Sequence, residues 1–310
     1  MERNKVNGHI AVFTANIIFG LNTVISRSLM PEVVDPFVLT FFRLAGGMIL
    51  FWIFSLFTQH EKVPIKDIVL FFFAAALAVS TNQLPFIVGL SMTSPIDASI
   101  VVTLLPIVSM ILAAVIIKEP ITLKKAFGVL LGASGALLLI FGNKNVNFGA
   151  GSIWGNLLVF SGVLSFALYL TIFKGLISRY SPVTIMKWMF LFATIQCYPF
   201  CHQHVVATDF LAFDLSSYLR IAYVVVLATF FTYILIAIGQ KALRPTTFSM
   251  YNYLQPLVAS MAAVAMGMDS FGTDKIVAAV LVFIGVFFVT QSKSREQMEL
   301  ETQRDSTLIK

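Results

Sequence analysis

Pro95-Ile96-Asp97-Ala98-Ser99 and Pro245-Thr246-Thr247-Phe248-Ser249 stand 150 residues apart, and the correspondence continues from there without a gap. Leu104 falls on Leu254, Pro106 on Pro256, Val108 on Val258, Ala113 on Ala263, Lys125 on Lys275, Leu131 on Leu281 and Gly135 on Gly285; Glu119 meets Asp269. Apolar matches arise cheaply in a greasy chain, but two prolines paired in one register inside a hydrophobic stretch do not. The second half therefore repeats the first. Each half reads as five hydrophobic spans, and an odd number sends the second half into a membrane from the opposite side. Such inverted repeats underlie alternating access, because two copies of one fold exchange conformations around a site between them.

Composition sets the solvent. Of the 310 residues 58% are hydrophobic and 12% charged, against roughly half and about a quarter in soluble domains. Lipid must surround most of this chain. With about 20 apolar residues needed per crossing, ten runs qualify: 9–29, 37–57, 68–90, 97–117, 124–142, 152–173, 183–203, 218–239, 247–268 and 274–292. The expected fold is an all-α integral membrane protein of ten transmembrane helices. Residues 1–142 and 152–292 form its two inverted five-helix repeats, and 293–310 a polar cytoplasmic tail.

Charge follows topology. Placing the N-terminus inside puts Arg3, Lys5, Lys62, Lys66, Lys118, Lys124, Lys125, Lys174, Arg179, Lys241, Arg244, Lys293, Arg295, Arg304 and Lys310 on the cytoplasmic side, and leaves Lys144 and Lys275 opposite. The positive-inside rule then places both termini in the cytoplasm of a multi-pass inner (plasma) membrane protein. The formal charge of +6 is accounted for by orientation, so no nucleic-acid partner is expected. The N-terminal segment is too long in its apolar region for a cleavable signal. Cys197 and Cys201, one turn apart with no matching ligands, read as packing residues. No metal site and no cofactor are expected.

The ordered set Ala98-Ser99, Leu104-Leu105-Pro106-Ile107, Ile117-Lys118-Glu119-Pro120-Ile121-Thr122, Gly128-Val129-Leu130-Leu131-Gly132 and Gly135-Ala136-Leu137, with Pro36 and Arg43 in the second span, resembles the EamA type of the drug/metabolite transporter superfamily. The likeness covers nearly the whole chain. It departs at Asp269, where glutamate would be usual, and at Met189 opposite Arg43. The first helix carries Asn16, Asn22 and Thr23 but not the buried glutamate of the four-helix multidrug relatives. The resemblance implies a carrier that exports small metabolites, with amino acids the commonest association. The alternatives are an uptake or exchange carrier and, in another class, an interfacial membrane enzyme. The latter needs clustered acid–base or metal-binding side chains, which the sequence does not display.

No carboxylate or histidine is expected near the bilayer centre, so a carboxylate proton relay has no obvious residue. Uncharged polar residues are the candidates for binding a small-molecule solute: Asn16, Asn82, Gln83, Thr103, Tyr169, Tyr233, Tyr251, Asn252 and Gln255. Several cluster beside Pro85 and Pro256, and polar groups in lipid turn toward other helices or a wet cavity. Tyrosine and amide groups suit an amphipathic solute. Arg43 is placed to attract a carboxylate, to pair with Asp97, or to snorkel. Lys187 is expected to snorkel. The Gly128, Gly132, Ala136 series is a close-packing seam, serving contact between the repeats or homodimerisation, so the chain is expected to be a monomer or homodimer.

Overall fold

The structure is a computed structural model that describes residues 2–30, 33–92, 101–141, 153–265 and 273–293. Among these the regular structure is entirely helical. Helix α1 spans Glu2–Leu29, α2 Pro36–Ser55 and α3 Ile65–Ala75. A π-helical segment, Ala76–Ser80, joins α3 to α4 (Thr81–Met92). Helices α5 (Leu105–Ile116), α6 (Leu123–Phe141), α7 (Ile153–Ile172), the short α8 (Lys174–Arg179) and α9 (Pro182–Ala207) follow. Next, α10 (Leu215–Val225) passes through a second π-segment, Val226–Phe231, into α11 (Thr232–Ala242). Then α12 (Pro245–Met250), a 3-10 turn at Tyr251–Tyr253, α13 (Leu254–Ala265) and α14 (Thr273–Thr290) complete the bundle.

Where the residues are described, helices thus follow the apolar runs read from the sequence. α1 begins seven residues earlier than expected, because a helix satisfies its backbone whether or not lipid surrounds it. Pro36 and Pro182 open α2 and α9, where a missing N–H costs nothing. Asp35, Ser181 and Asp214 cap α2, α9 and α10 through their side-chain oxygens. The Pro95–Ser99 copy of the opening motif, Lys144, Asp269 and the tail beyond Lys293 lie outside the described residues.

Among the described residues, four continuous helical stretches are both long and apolar enough to cross a membrane: Pro36–Ser55, Ile65–Gly89, Ile153–Ile172 and Leu215–Ala242. Large apolar side chains such as Ile111, Val115, Phe127, Leu130, Ile195, Phe200, Phe283 and Phe287 stand exposed on the outer surface. A water-soluble protein would hide that much apolar area; here it meets acyl chains. The interior packs Phe51, Phe71, Tyr169, Phe190 and Tyr253.

The 150-residue offset reappears in the local structure. The π-segments begin at Ala76 and Val226, and the chain leaves regular α-helix near Thr103 and again at Tyr251–Tyr253. A π-turn loosens carbonyls from the ladder, and each needs a donor. In the first, Thr81 Oγ1 donates to Ala76 O at 2.8 Å and Ser165 Oγ, from α7, to Leu77 O at 2.8 Å. In the second, Thr229 Oγ1 donates to Val224 O and Thr232 Oγ1 to Leu227 O, both at 2.8 Å. Ser165 is thereby committed to a neighbouring backbone.

The helix contacts obey the same offset. α4 packs on α7 as α11 packs on α1; α5 on α7 as α13 on α1; α3 on α9 as α10 on α2. Equivalent helices also meet each other, α2 with α9 and α6 with α14. The helix contacts therefore map onto themselves when positions 150 residues apart are exchanged. At the α6–α14 crossing, a Cβ on Gly128 would lie 2.6 Å from Gly285 O, and one on Gly135 2.7 Å from Ala278 O. These two close approaches are each other's equivalents. The glycine seam is therefore filled from within the chain, and Gly132 packs against Tyr253 and Met250.

Candidate functional site

Where the two halves meet, Gln83 of α4 and Tyr233 of α11 are equivalent positions that touch. Gln83 Nε2 donates to Tyr233 Oη at 2.6 Å, and both side chains are buried. The other Gln83 amide atom, Oε1, is buried without a hydrogen-bond partner among the described residues. The edges of Phe190 and Phe19 meet the Tyr233 ring at centroid distances of 4.9 and 6.2 Å. One flank of this polar pair is thus aromatic.

Arg43 reaches the same place from α2. Seven residues into that helix, it lies about 10 Å along the axis from the α2 N-terminus. Its Nε donates to Thr229 Oγ1 at 3.2 Å, and Thr229 lies four residues before Tyr233 on the same helical stretch. Thr229 accepts this bond while donating to Val224 O, so the second π-segment presents a hydroxyl to the guanidinium. Among the described residues Arg43 has no ion pair. Asp97, its other expected partner, is outside them.

The remaining sequence candidates fall into smaller groups. Gln255 Nε2 donates to Asn16 Oδ1 at 2.8 Å, and Asn16 Nδ2 to Val12 O at 2.8 Å. Tyr251 Oη lies 2.7 Å from His9 Nδ1. The Tyr169 hydroxyl donates to Gln240 Oε1 at 2.9 Å and also approaches Met189 Sδ at 3.6 Å. Asn82 Nδ2 donates to Gly162 O at 2.9 Å, a helix-to-helix bond made possible because Gly162 lets the α4 backbone approach. Thr103 is buried, and Asn252 is half-buried within the 3-10 turn. Several polar groups expected to need a cavity have thus found one another, since a donor on one helix and an acceptor on the next remove the same cost. Lys187 departs from expectation. It is 8% exposed, with its ammonium 5.2 Å from the centroid of the Trp52 ring, a cation–π contact in place of snorkelling. Cys197 and Cys201 are buried and free.

Sequence reading missed a dense polar closure at the end of the bundle where α3, α6, α9 and α12 begin. Lys118 holds φ at 54°, a left-handed turn uncommon for a side-chain-bearing residue. Glu119 N–H reaches back to Ala113 O at 3.0 Å, aiming the carboxylate into the bundle. Lys125 Nζ meets Glu119 Oε1 at 2.8 Å, with the two side chains only 1% and 6% exposed, and Arg244 Nη1 approaches at 3.5 Å. Arg244 also donates to Ser292 O at 2.8 Å, tying the start of α12 to the end of α14. Nearby, Arg179 and Tyr180 both donate to Asp67. Burial and that carboxylate raise the Tyr180 phenol above its ordinary pKa. Ser181 donates to Glu61 through N–H and hydroxyl. Lys174 donates to the carbonyls of Gln240, Lys241 and Leu243 at the α11 C-terminus, where the helix dipole favours a cation. Sequence reading had assigned these basic residues to membrane orientation alone.

The chain matches the EamA-like transporter family twice, over residues 6–141 and 153–291. Together these cover nearly all of it. The chain belongs to the EamA-like transporter family. It is similar to an uncharacterized transporter of Archaeoglobus fulgidus, 24% identical over 75% of this chain and 81% of the relative. Protein WALLS ARE THIN 1 of Arabidopsis thaliana is 24% identical over 94% of this chain and 85% of its own. The uncharacterized transporter YetK of Bacillus subtilis is 20% identical over 99% and 94%. A crystal structure aligns with a TM-score of 0.77 over 95% of this chain and 98% of its own at 16% identity, which shows the shared fold. Membership makes this EamA-family chain a multi-pass membrane transporter, with a small-molecule solute and the lipid bilayer as its partners.

Proposed function

We propose that this transporter is a ten-helix carrier of two inverted five-helix repeats that works by alternating access. Both termini face the cytoplasm of the cell membrane, and the cargo is exported amino acids or similar small amphipathic solutes. The observation that carries the reading is the Gln83–Tyr233 hydrogen bond. It joins equivalent positions of the two repeats, so any rocking of one half against the other must act on that bond. The exchange symmetry of the helix contacts supports two halves of one fold, and the lysine and arginine asymmetry supports the orientation. The Glu119–Lys125–Arg244 and Asp67–Arg179–Tyr180 clusters then form the cytoplasmic closure. Gln83, Tyr233, Tyr251, Asn252 and Gln255, with Asn16 and Tyr169, supply donors and acceptors on helices of both repeats. Asn82 and Thr103 contribute from the edge of this set.

Gln83→Ala and Asn252→Ala are expected to weaken counterflow of solute in proteoliposomes about tenfold or more while leaving the melting temperature nearly unchanged. Unchanged affinity in both variants, or loss only through misfolding, would make them packing residues.

A further inference from the structure

We propose that Arg43, Tyr233 and Gln83 form a recognition site for a solute bearing a carboxylate together with an adjacent N–H or O–H donor. The inference rests on the carrier reading and adds the chemistry of its cargo. Of the five N–H donors of Arg43, only Nε is paired among the described residues, with Thr229. Among the described residues Arg43 has no counter-ion; a guanidinium within a membrane protein is costly, and an ionised partner offsets that cost best when it binds in the planar two-point manner of a carboxylate. The α2 helix could have carried an apolar residue here, as α9 does at Ala193, which the 150-residue offset makes the counterpart of Arg43 in place of Met189.

Tyr233 supplies the second donor. Its oxygen accepts from Gln83, which leaves its O–H hydrogen without a described acceptor. Arg43 is held on Thr229, four residues before Tyr233 on the same helical stretch, so guanidinium and phenol are neighbouring donors, which disfavours an amine and suits an anion. Gln83 Oε1 provides the opposite requirement. Among the described residues it is a buried acceptor with nothing to accept from, at a site where such an atom loses its water and gains nothing in return. A donor on the carbon next to the carboxylate would fill it. Phe190 and Phe19 flank the same tyrosine and offer aromatic surface to whatever apolar group the solute carries.

The test is ligand-induced thermal stabilisation and binding of the purified full chain. The probes are a matched series: phenylalanine, phenyllactate, 3-phenylpropionate and phenylalaninamide, and the corresponding leucine series. Wild type should bind the amino or hydroxy acid of at least one series, with its amide and its unsubstituted acid at least tenfold weaker. Arg43→Gln should lose at least tenfold for the acid, with Arg43→Lys between. Because Arg43→Gln alone could misfold if Asp97 is left unpaired, Arg43→Gln/Asp97→Asn is measured too. Continued weak binding in that double variant supports the proposal. Wild-type binding in it reduces Arg43 to a structural partner and overturns the proposal. Equal binding of acid and amide, or no acid bound in either series, also overturns it. If the amide binds as well as the acid and Gln83→Ala abolishes that binding, the carboxylate proposal falls while the carrier reading stands. If Gln83→Ala binds every probe as wild type does, the site itself is wrong.

Discussion

Gly285→Val is expected to leave little or no folded protein. A Cβ at Gly285 would sit 2.6 Å from Gly128 O, 2.7 Å from Gly132 N and 3.0 Å from Gly132 Cα. All three are backbone atoms of α6, so no rotamer change relieves the clash; the two helices must separate. Ordinary overpacking costs about 1–3 kcal/mol, and separating the α6–α14 seam also opens its equivalent crossing at Gly135 and Ala278. Recovery of monodisperse protein from detergent extracts measures this directly. Gly175→Ala is the control, because nothing lies within 4 Å of its added methyl. It should extract as wild type does. Equal recovery of both variants would mean that the seam is not closely packed.

Removing one member of the buried Glu119–Lys125 pair is expected to be nearly as damaging. Lys125→Met strands a carboxylate that is 6% exposed, leaving it Arg244 at 3.5 Å. Stranding a buried charge costs about 3–5 kcal/mol. Glu119→Gln/Lys125→Met removes both charges, and most of that loss should return, because the penalty lies in the unpaired ion. Thermal unfolding of the single and double variants gives the comparison. A double variant less stable than Lys125→Met would show that the pair is net stabilising, contrary to this account.

What was legible followed from periodicity and register. Pro106 and Pro256 revealed the offset, and the helices, the π-segments and the helix contacts keep to it. The π-segments themselves were not legible: each depends on hydroxyls that satisfy loosened carbonyls, and one of these, Ser165, comes from another helix. Gln83 and Tyr233 were separately visible as polar residues in apolar helices. Their contact was hidden, because it requires α4 and α11 to face each other, which no linear pattern encodes. Asn82 looked equivalent to its neighbour Gln83 but points at Gly162, since adjacent residues on a helix face about 100° apart. The Glu119–Lys125 pair escaped notice for another reason. Both residues were visible at helix ends, where charge is ordinarily solvated, and only the turn at Lys118 folds the carboxylate inward.

The carrier account is tested most directly by the accessibility of position 83 from each side of the membrane. The substrate for the measurement is Gln83→Cys in a background lacking Cys197 and Cys201, reacted with a membrane-impermeant thiol reagent in right-side-out and in inside-out vesicles. Alternating access predicts labelling from both faces in the two separate preparations, with a bulky reagent bound from one face blocking reaction from the other. Labelling from one face only, whichever it is, or no labelling from either, would contradict it.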